Sequence, residues 1–127
     1  VFGVVLTPEH DPASLDHWAS LLAGFPGHVP YCCCGPIPDW WEGFKVWRDA
    51  TVLPHDAARV IVVPDGEQSI VTFTHPEDAC YVFGPDHESN THLHPGAPTV
   101  SIPSDGAHLY SHHAGAIVLY DRLFKTI

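Results

Sequence analysis

A chain of 127 residues with 45% apolar composition has material for one packed domain, residues 1–127, and excludes both a second domain and a disordered protein. Five Lys and Arg stand against fifteen Asp and Glu, a formal net charge of −10 that eleven His can offset in part below pH ~6.5. Nucleic-acid binders present a basic face because phosphate neutralisation supplies most of the binding, so this balance disfavours RNA capture by the chain alone. No apolar run approaches the ~18 residues of a membrane span, and no basic-then-apolar leader precedes Val1. The expected compartment is cytoplasmic, with no membrane contact.

In chain order, Val1–Leu6 reads as a buried parallel strand, a short β-branched run ended by Thr7-Pro8. Asp11 can cap a helix whose first position suits Pro12, and Leu15, Trp18, Leu21 and Leu22 form its core face. Gly24, Pro26 and Gly27 stop it. His28–Cys34 is a second strand, Pro38–Phe44 a short helix or turn, and Ala50–Leu53 a short third strand. Ala58–Val63 and Ser69–Thr74 read as two strands joined by a Pro64-Asp65-Gly66 hairpin turn. Ala79–Phe83 and Thr99–Ile102 are the next strands. Leu109–Phe124 is a closing helix, with Ala114, Ile117, Val118 and Leu123 able to face the sheet. Strands alternating with helices predict an α/β sandwich around a mainly parallel sheet.

Three of the four cysteines are consecutive, Cys32-Cys33-Cys34, and no CxxC spacing indicates structural zinc. Strand alternation lets only Cys32 and Cys34 share a face, so buried strand thiols are expected, with a reactive thiol as the alternative. Lys45 and Arg48 lie three apart, as do Arg122 and Lys125, so each pair can share a helical face and offer a thin basic footprint. Trp40, Trp41 and Trp47 lack interleaved basic residues, which favours packing or a subunit interface over base stacking.

Two strands in the last third, Ala79–Phe83 and Thr99–Ile102, run into Gly- and Pro-rich loops before the closing helix. Such loops at the carboxyl ends of strands are where open α/β sheets bind small ligands. The wording Phe83-Gly84-Pro85-Asp86, then Ile102-Pro103, then Ala116-Ile117-Val118-Leu119-Tyr120-Asp121 resembles the second and third motifs of the trefoil-knot (SPOUT) RNA 2'-O-ribose methyltransferases. Val5–Glu9 is similar to the family's opening strand and PE loop. Pro38–His55 and Val71–His75 resemble segments of those members that modify the tRNA wobble position.

The resemblance implies a three-layer single-domain sandwich with a carboxyl-terminal trefoil knot, a homodimer, and S-adenosylmethionine as cofactor. It implies cofactor binding by Thr72, Thr74, Phe83, Gly84, Pro85, Asp86, Ile102, Pro103 and Leu109. Three departures bear on catalysis. The family's first motif carries an Asn and an Arg, where this chain has residues near Ala13 and Ala19, and no Arg precedes Arg48. The Gly after the acidic residue of the second motif gives way to His87. The third motif becomes His108-Leu-Tyr-Ser-His-His-Ala114, without its Asn residues.

A histidine near the methyl acceptor can act as general base, so His108, Tyr110 and His112 are the candidate catalytic residues. His108 and His112 are also i,i+4, the spacing that puts two imidazoles on one helical face. With His113, Asp86, Glu88, His87, His92 and His94 they are a candidate transition-metal cluster, although solvated histidines are the simpler account. The expected function is a methyltransferase-like protein with a divergent catalytic set. The alternatives are a non-catalytic binding module that keeps the fold, and a His-rich metal-binding protein.

Overall fold

Each described strand is a short run whose neighbours supply hydrogen bonds from far along the chain. The computed structural model describes residues 2–6, 12–25, 28–32, 58–64, 66–83, 96–103 and 111–126. Within them lie β1 (Phe2–Leu6), α1 (Pro12–Ala23), β2 (His28–Cys32), β3 (Ala58–Val62), β4 (Gln68–Ser69), β5 (Ala79–Phe83), β6 (Thr99–Ser101) and α2 (Ser111–Thr126). The sheet order is β2-β1-β5-β3-β6-β4, and every described pair is parallel. The predicted α/β class and parallel sheet are therefore observed. The expected trefoil knot turns on residues 84–95 and 104–110, which lie outside the described residues, as does the strand predicted at Ala50–Leu53.

β5 is buried at every position, which explains its uninterrupted apolar sequence. Ala79, Tyr81 and Phe83 face the cluster formed with Val4, Val60, Val62 and Val100, while Cys80 and Val82 are buried on the opposite face. Register places Val4, Tyr81 and Val60 in one row and Leu6, Phe83 and Val62 in the next. Both helices lie on the Tyr81 face. Trp18 and Leu22 of α1 are fully buried there, as are Val118 and Leu119 of α2. Trp18 packs on the Phe83 ring at 4.8 Å between centroids. Gly115 of α2 lies so close to Trp18 that a methyl group there would collide with the indole. Residue 115 thus sets how near the two helices approach.

α1 begins at Pro12 and buries Trp18 and Leu22, as its periodicity predicts. α2 corrects the expectation. Its inward face carries Ala114, Val118, Leu119 and Arg122, whereas Ile117 and Leu123 are exposed. The close approach of Gly115 to Trp18 turns the helix to this phase.

The hairpin around Pro64-Asp65-Gly66 is also corrected. β3 and β4 are not neighbours, because β6 lies between them and runs parallel to both. After β3 the chain crosses β6, with Val63 N–H donating to Val100 O and Ile70 N–H to Ser101 O. β4 lasts two residues, and 70–72 form a turn rather than strand. Gly66 permits the crossing. A Cβ at this position would lie 2.5 Å from the Val100 carbonyl carbon and 2.7 Å from Ser101 N, backbone atoms that cannot step aside. Gly66→Ala is expected to cost about 1–3 kcal/mol, read as a lowered urea midpoint with unchanged slope.

Candidate functional site

Parallel strands place their carboxyl ends on one edge, and among the described residues that edge carries Thr72, Phe83, Ile102 and Pro103 of the predicted ligand set. The chain leaves β1 toward β2 on one side and reaches β3 on the other, so the order reverses around β5. In open α/β sheets such a reversal leaves a crevice at the carboxyl ends of the strands. Phe83 ends β5 there, level with Val100, and β6 runs one row further to Ser101 before Ile102 and Pro103. Ser69 pairs with Ser101 in that outer row, and the turn that follows brings Thr72 N–H onto Ser69 O at 3.2 Å. Thr72, Thr74 and Pro103 are exposed and Ile102 is half-buried.

From this edge the chain returns to the start of β5 without forming a strand or helix, and α2 supplies the hydrogen bonds it lacks. Lys125 Nζ donates to Ile70 O at 2.7 Å and to Phe73 O at 2.8 Å. Arg122 Nη1 donates to Pro76 O and Nη2 to Glu77 O, both at 2.6 Å. Arg122 Nη1 also donates to Tyr81 Oη at 3.0 Å. That leaves the phenol proton for His75 Nδ1 at 2.7 Å, and His75 Nε2–H then donates to Asp121 Oδ2 at 2.6 Å. Lys125 closes the set on the same carboxylate oxygen at 2.8 Å. The Arg122–Lys125 pair does share a helical face, but both heads are engaged with the protein itself rather than forming the basic footprint expected.

This environment shifts three groups. Burial holds the His75 imidazole below its ordinary 6.5, overcoming the hydrogen bond and charge of Asp121. Burial likewise raises the Tyr81 phenol above 10.0, against the opposing hydrogen bond from Arg122. For Asp121 burial acts upward, but hydrogen bonds from Lys125 and His75 outweigh it and hold the carboxyl below 3.8. Between the folded-state pKa of His75 and 6.5, the unfolded chain binds a proton that the folded chain does not. Stability from this group is therefore complete above pH 6.5 and lost as pH falls through that window. In urea melts, the drop from pH 7.5 to pH 5.5 is expected to be smaller in His75→Gln than in the native chain. Equal drops would show that His75 is not held neutral.

Of the predicted cofactor residues, Thr72, Thr74, Phe83, Ile102 and Pro103 fall within the described residues. The Phe83 side chain is committed to the core, so its backbone is what it can offer a ligand. Gly84, Pro85, Asp86 and Leu109 lie outside the described residues, as do the candidate catalytic His108 and Tyr110. His112 lies where α1 meets α2, its ring stacked on His17 at 4.5 Å and 18° and 4.3 Å from His113. Among the described residues, no group of three His, Cys, Asp or Glu could hold a metal ion. Cys80 is a buried cysteine outside any disulfide, and of Cys32 only the strand backbone is described. No helix among the described residues is long and apolar enough to cross a membrane.

Sequence reading missed the set of His75, Tyr81, Asp121, Arg122 and Lys125. The one available signal was Arg122, which continues the buried series Ala114, Val118 at steps of four and so must carry its charge inward.

Neither a protein-family model nor a curated protein sequence matches the chain. Solved structures do. One concerns the 2-OH methylation of tRNA, with TM-score 0.83 and 18% identity, covering 98% of this chain and 90% of that one. A second is an RNA 2'-O ribose methyltransferase, with TM-score 0.80 and 16% identity, covering 98% of this chain and 56% of that one. A third is the SpoU methyltransferase AviRb from Streptomyces viridochromogenes, in complex with AdoMet. It has TM-score 0.70 and 15% identity, and covers 99% of this chain and 60% of AviRb, so the chain spans well under two thirds of that protein. These likenesses reach from one end of the chain to the other, and its fold is that of the SpoU and TrmH-type RNA 2'-O-methyltransferases.

Proposed function

We propose that this chain is a methyltransferase-like protein that binds S-adenosylmethionine at the carboxyl edge of its sheet, and that its inherited acceptor is an RNA 2'-hydroxyl. The supporting observation is the reversal of strand order around β5, which puts Phe83, Ile102, Pro103 and the Thr72 turn on one edge. The residues there fit an adenosine-bearing ligand. The half-buried Ile102 offers apolar surface, the exposed Thr74 offers its hydroxyl, and the Thr72 hydroxyl, which donates to Ser69 O at 3.3 Å, can still accept. When bound, the cofactor supplies a methyl group activated on a sulfonium centre. AviRb, with the same fold, was crystallised with AdoMet.

Turnover is proposed to be weak or lost. Transfer to a ribose hydroxyl needs that oxygen held in line and its proton removed or its charge stabilised. No Arg stands in the first motif, and Arg122 and Lys125 cannot replace it while their heads bind backbone carbonyls. His108, Tyr110 and His112 are the substitutes, and a general base contributes on the order of 10²–10⁴-fold where substrate reaches it. The net charge of −10 opposes that approach for RNA. The chain is also proposed to be a homodimer. On α2, Ile117, Tyr120 and Phe124 are 40%, 62% and 67% exposed, an apolar stripe for a second copy. Sedimentation at micromolar concentration is expected to show a dimer that Phe124→Glu dissociates.

The test of catalysis is transfer of labelled methyl from S-adenosylmethionine to bulk tRNA by the purified protein. Little or no transfer is expected. Robust transfer abolished by His112→Ala would show that a histidine has taken over as base and that the degenerate reading is wrong.

A further inference from the structure

We propose that Arg122 and Lys125, with the Tyr81–His75–Asp121 chain between them, are positioning residues that hold the 70–77 backbone in the shape presenting Thr72 and Thr74 to a ligand. The proposal rests on the reading of the carboxyl edge as a cofactor wall, and adds to it the machinery that keeps the wall in place.

The geometry is one of alternating commitments. Carbonyls at Ile70 and Phe73 are taken by Lys125, and those at Pro76 and Glu77 by Arg122. Thr72 and Thr74 lie within the stretch so fastened and remain exposed. An irregular segment packed against a helix must find partners for its peptide groups, and cationic donors make the stronger kind of hydrogen bond. The chain has five basic residues in all, and two are used here.

The middle of the set fixes the ends relative to each other. His75 has a ring only 2% exposed, and it links Tyr81 on β5 to Asp121 on α2. Phe73 packs edge-on to the imidazole at 5.2 Å, so the ring is also held from within the segment itself. Among the described residues, the charged or titratable groups that act on His75 belong to this set: Tyr81 from β5, and Asp121, Arg122 and Lys125 from α2. A proton added to His75 would remove the acceptor of the Tyr81 hydroxyl and set two donors against one phenol oxygen. The wall should loosen in acid for that reason.

The experiment measures two quantities on the native chain, Lys125→Met, Lys125→Arg and His75→Gln: S-adenosylhomocysteine affinity by calorimetry, and amide hydrogen exchange across residues 70–77 and β5. Lys125→Met keeps the side-chain stem and removes the donor. Its affinity is expected to fall at least about tenfold, with faster exchange in 70–77 and unchanged protection in β5. Lys125→Arg should recover most of the affinity. Native affinity should weaken from pH 7.5 to pH 5.5 more than that of His75→Gln. If Lys125→Met binds as tightly as the native chain, or if its 70–77 amides exchange no faster, the positioning role is overturned. If the native chain does not bind at all, the cofactor reading itself fails, an outcome distinct from a loss confined to the variants.

Discussion

Replacing Trp18 with alanine is expected to cost about 3–5 kcal/mol of folding stability, the largest effect of any substitution considered. The side chain is completely buried and joins three parts of the molecule. It belongs to α1, lies on Phe83 at the carboxyl end of β5, and is the surface against which Gly115 of α2 packs. Removing the indole leaves a cavity that neither helix can fill without shifting, because the contact on α2 is a glycine with no side chain to move into the space. A domain of this size has roughly 5–15 kcal/mol in total, so the variant should be close to unfolded at 37 °C. Urea melts followed by far-UV circular dichroism measure this directly. A loss below about 1.5 kcal/mol would mean that the two helices are not wedged against the sheet by this residue.

The second large effect is expected from Arg122→Met, at about 3 kcal/mol. Methionine fills much of the same volume, so the loss is one of hydrogen bonds rather than packing. Pro76 O and Glu77 O lose their cationic donor, and Tyr81 Oη loses the donor that orients its proton toward His75. The bond to Tyr81 is buried and the two to the carbonyls are part-buried, so acceptors left without partners bear much of their desolvation cost, which is why one substitution exceeds the worth of a typical surface ion pair. Lys125→Met, whose side chain is 27% exposed, should cost clearly less, since water can replace part of what it gives. The comparison of the two in the same melt separates burial from charge. Equal costs would contradict the burial argument.

Much of this architecture was legible in the residues. β5 was found because Ala79–Phe83 is apolar without alternation, the mark of a strand buried on both faces. α1 was found because Pro12 opens it and Trp18 and Leu22 repeat at helical spacing. The phase of α2 was not, because Ala114 through Phe124 is apolar nearly all round and offers no polar face by which to orient it. A contact made by Gly115, which has no side chain, and the carbonyl partners of Arg122 decided it instead. The false hairpin at Pro64-Asp65-Gly66 has a similar origin. A turn signal is local, whereas the competing partner was β6, reached more than thirty residues later in Thr99–Ser101. The His75–Asp121 pair is 46 residues apart in sequence, and neither residue is unusual where it stands. The candidate ligand residues became visible only through the wording of the motifs, since a Phe-Gly-Pro turn by itself is only a turn.

The central claim, that the carboxyl edge of this sheet is a cofactor site, is tested most directly by titrating S-adenosylhomocysteine and S-adenosylmethionine into the folded protein by calorimetry. The titration is done once with divalent metal present and once with chelator. The account predicts saturable binding of one ligand per chain, equal in both conditions, and weakened by Gly84→Val, at a residue that the motif resemblance assigns to the cofactor loop. No heat of binding at millimolar ligand from protein with an intact unfolding transition would contradict it, as would binding that appears only with metal.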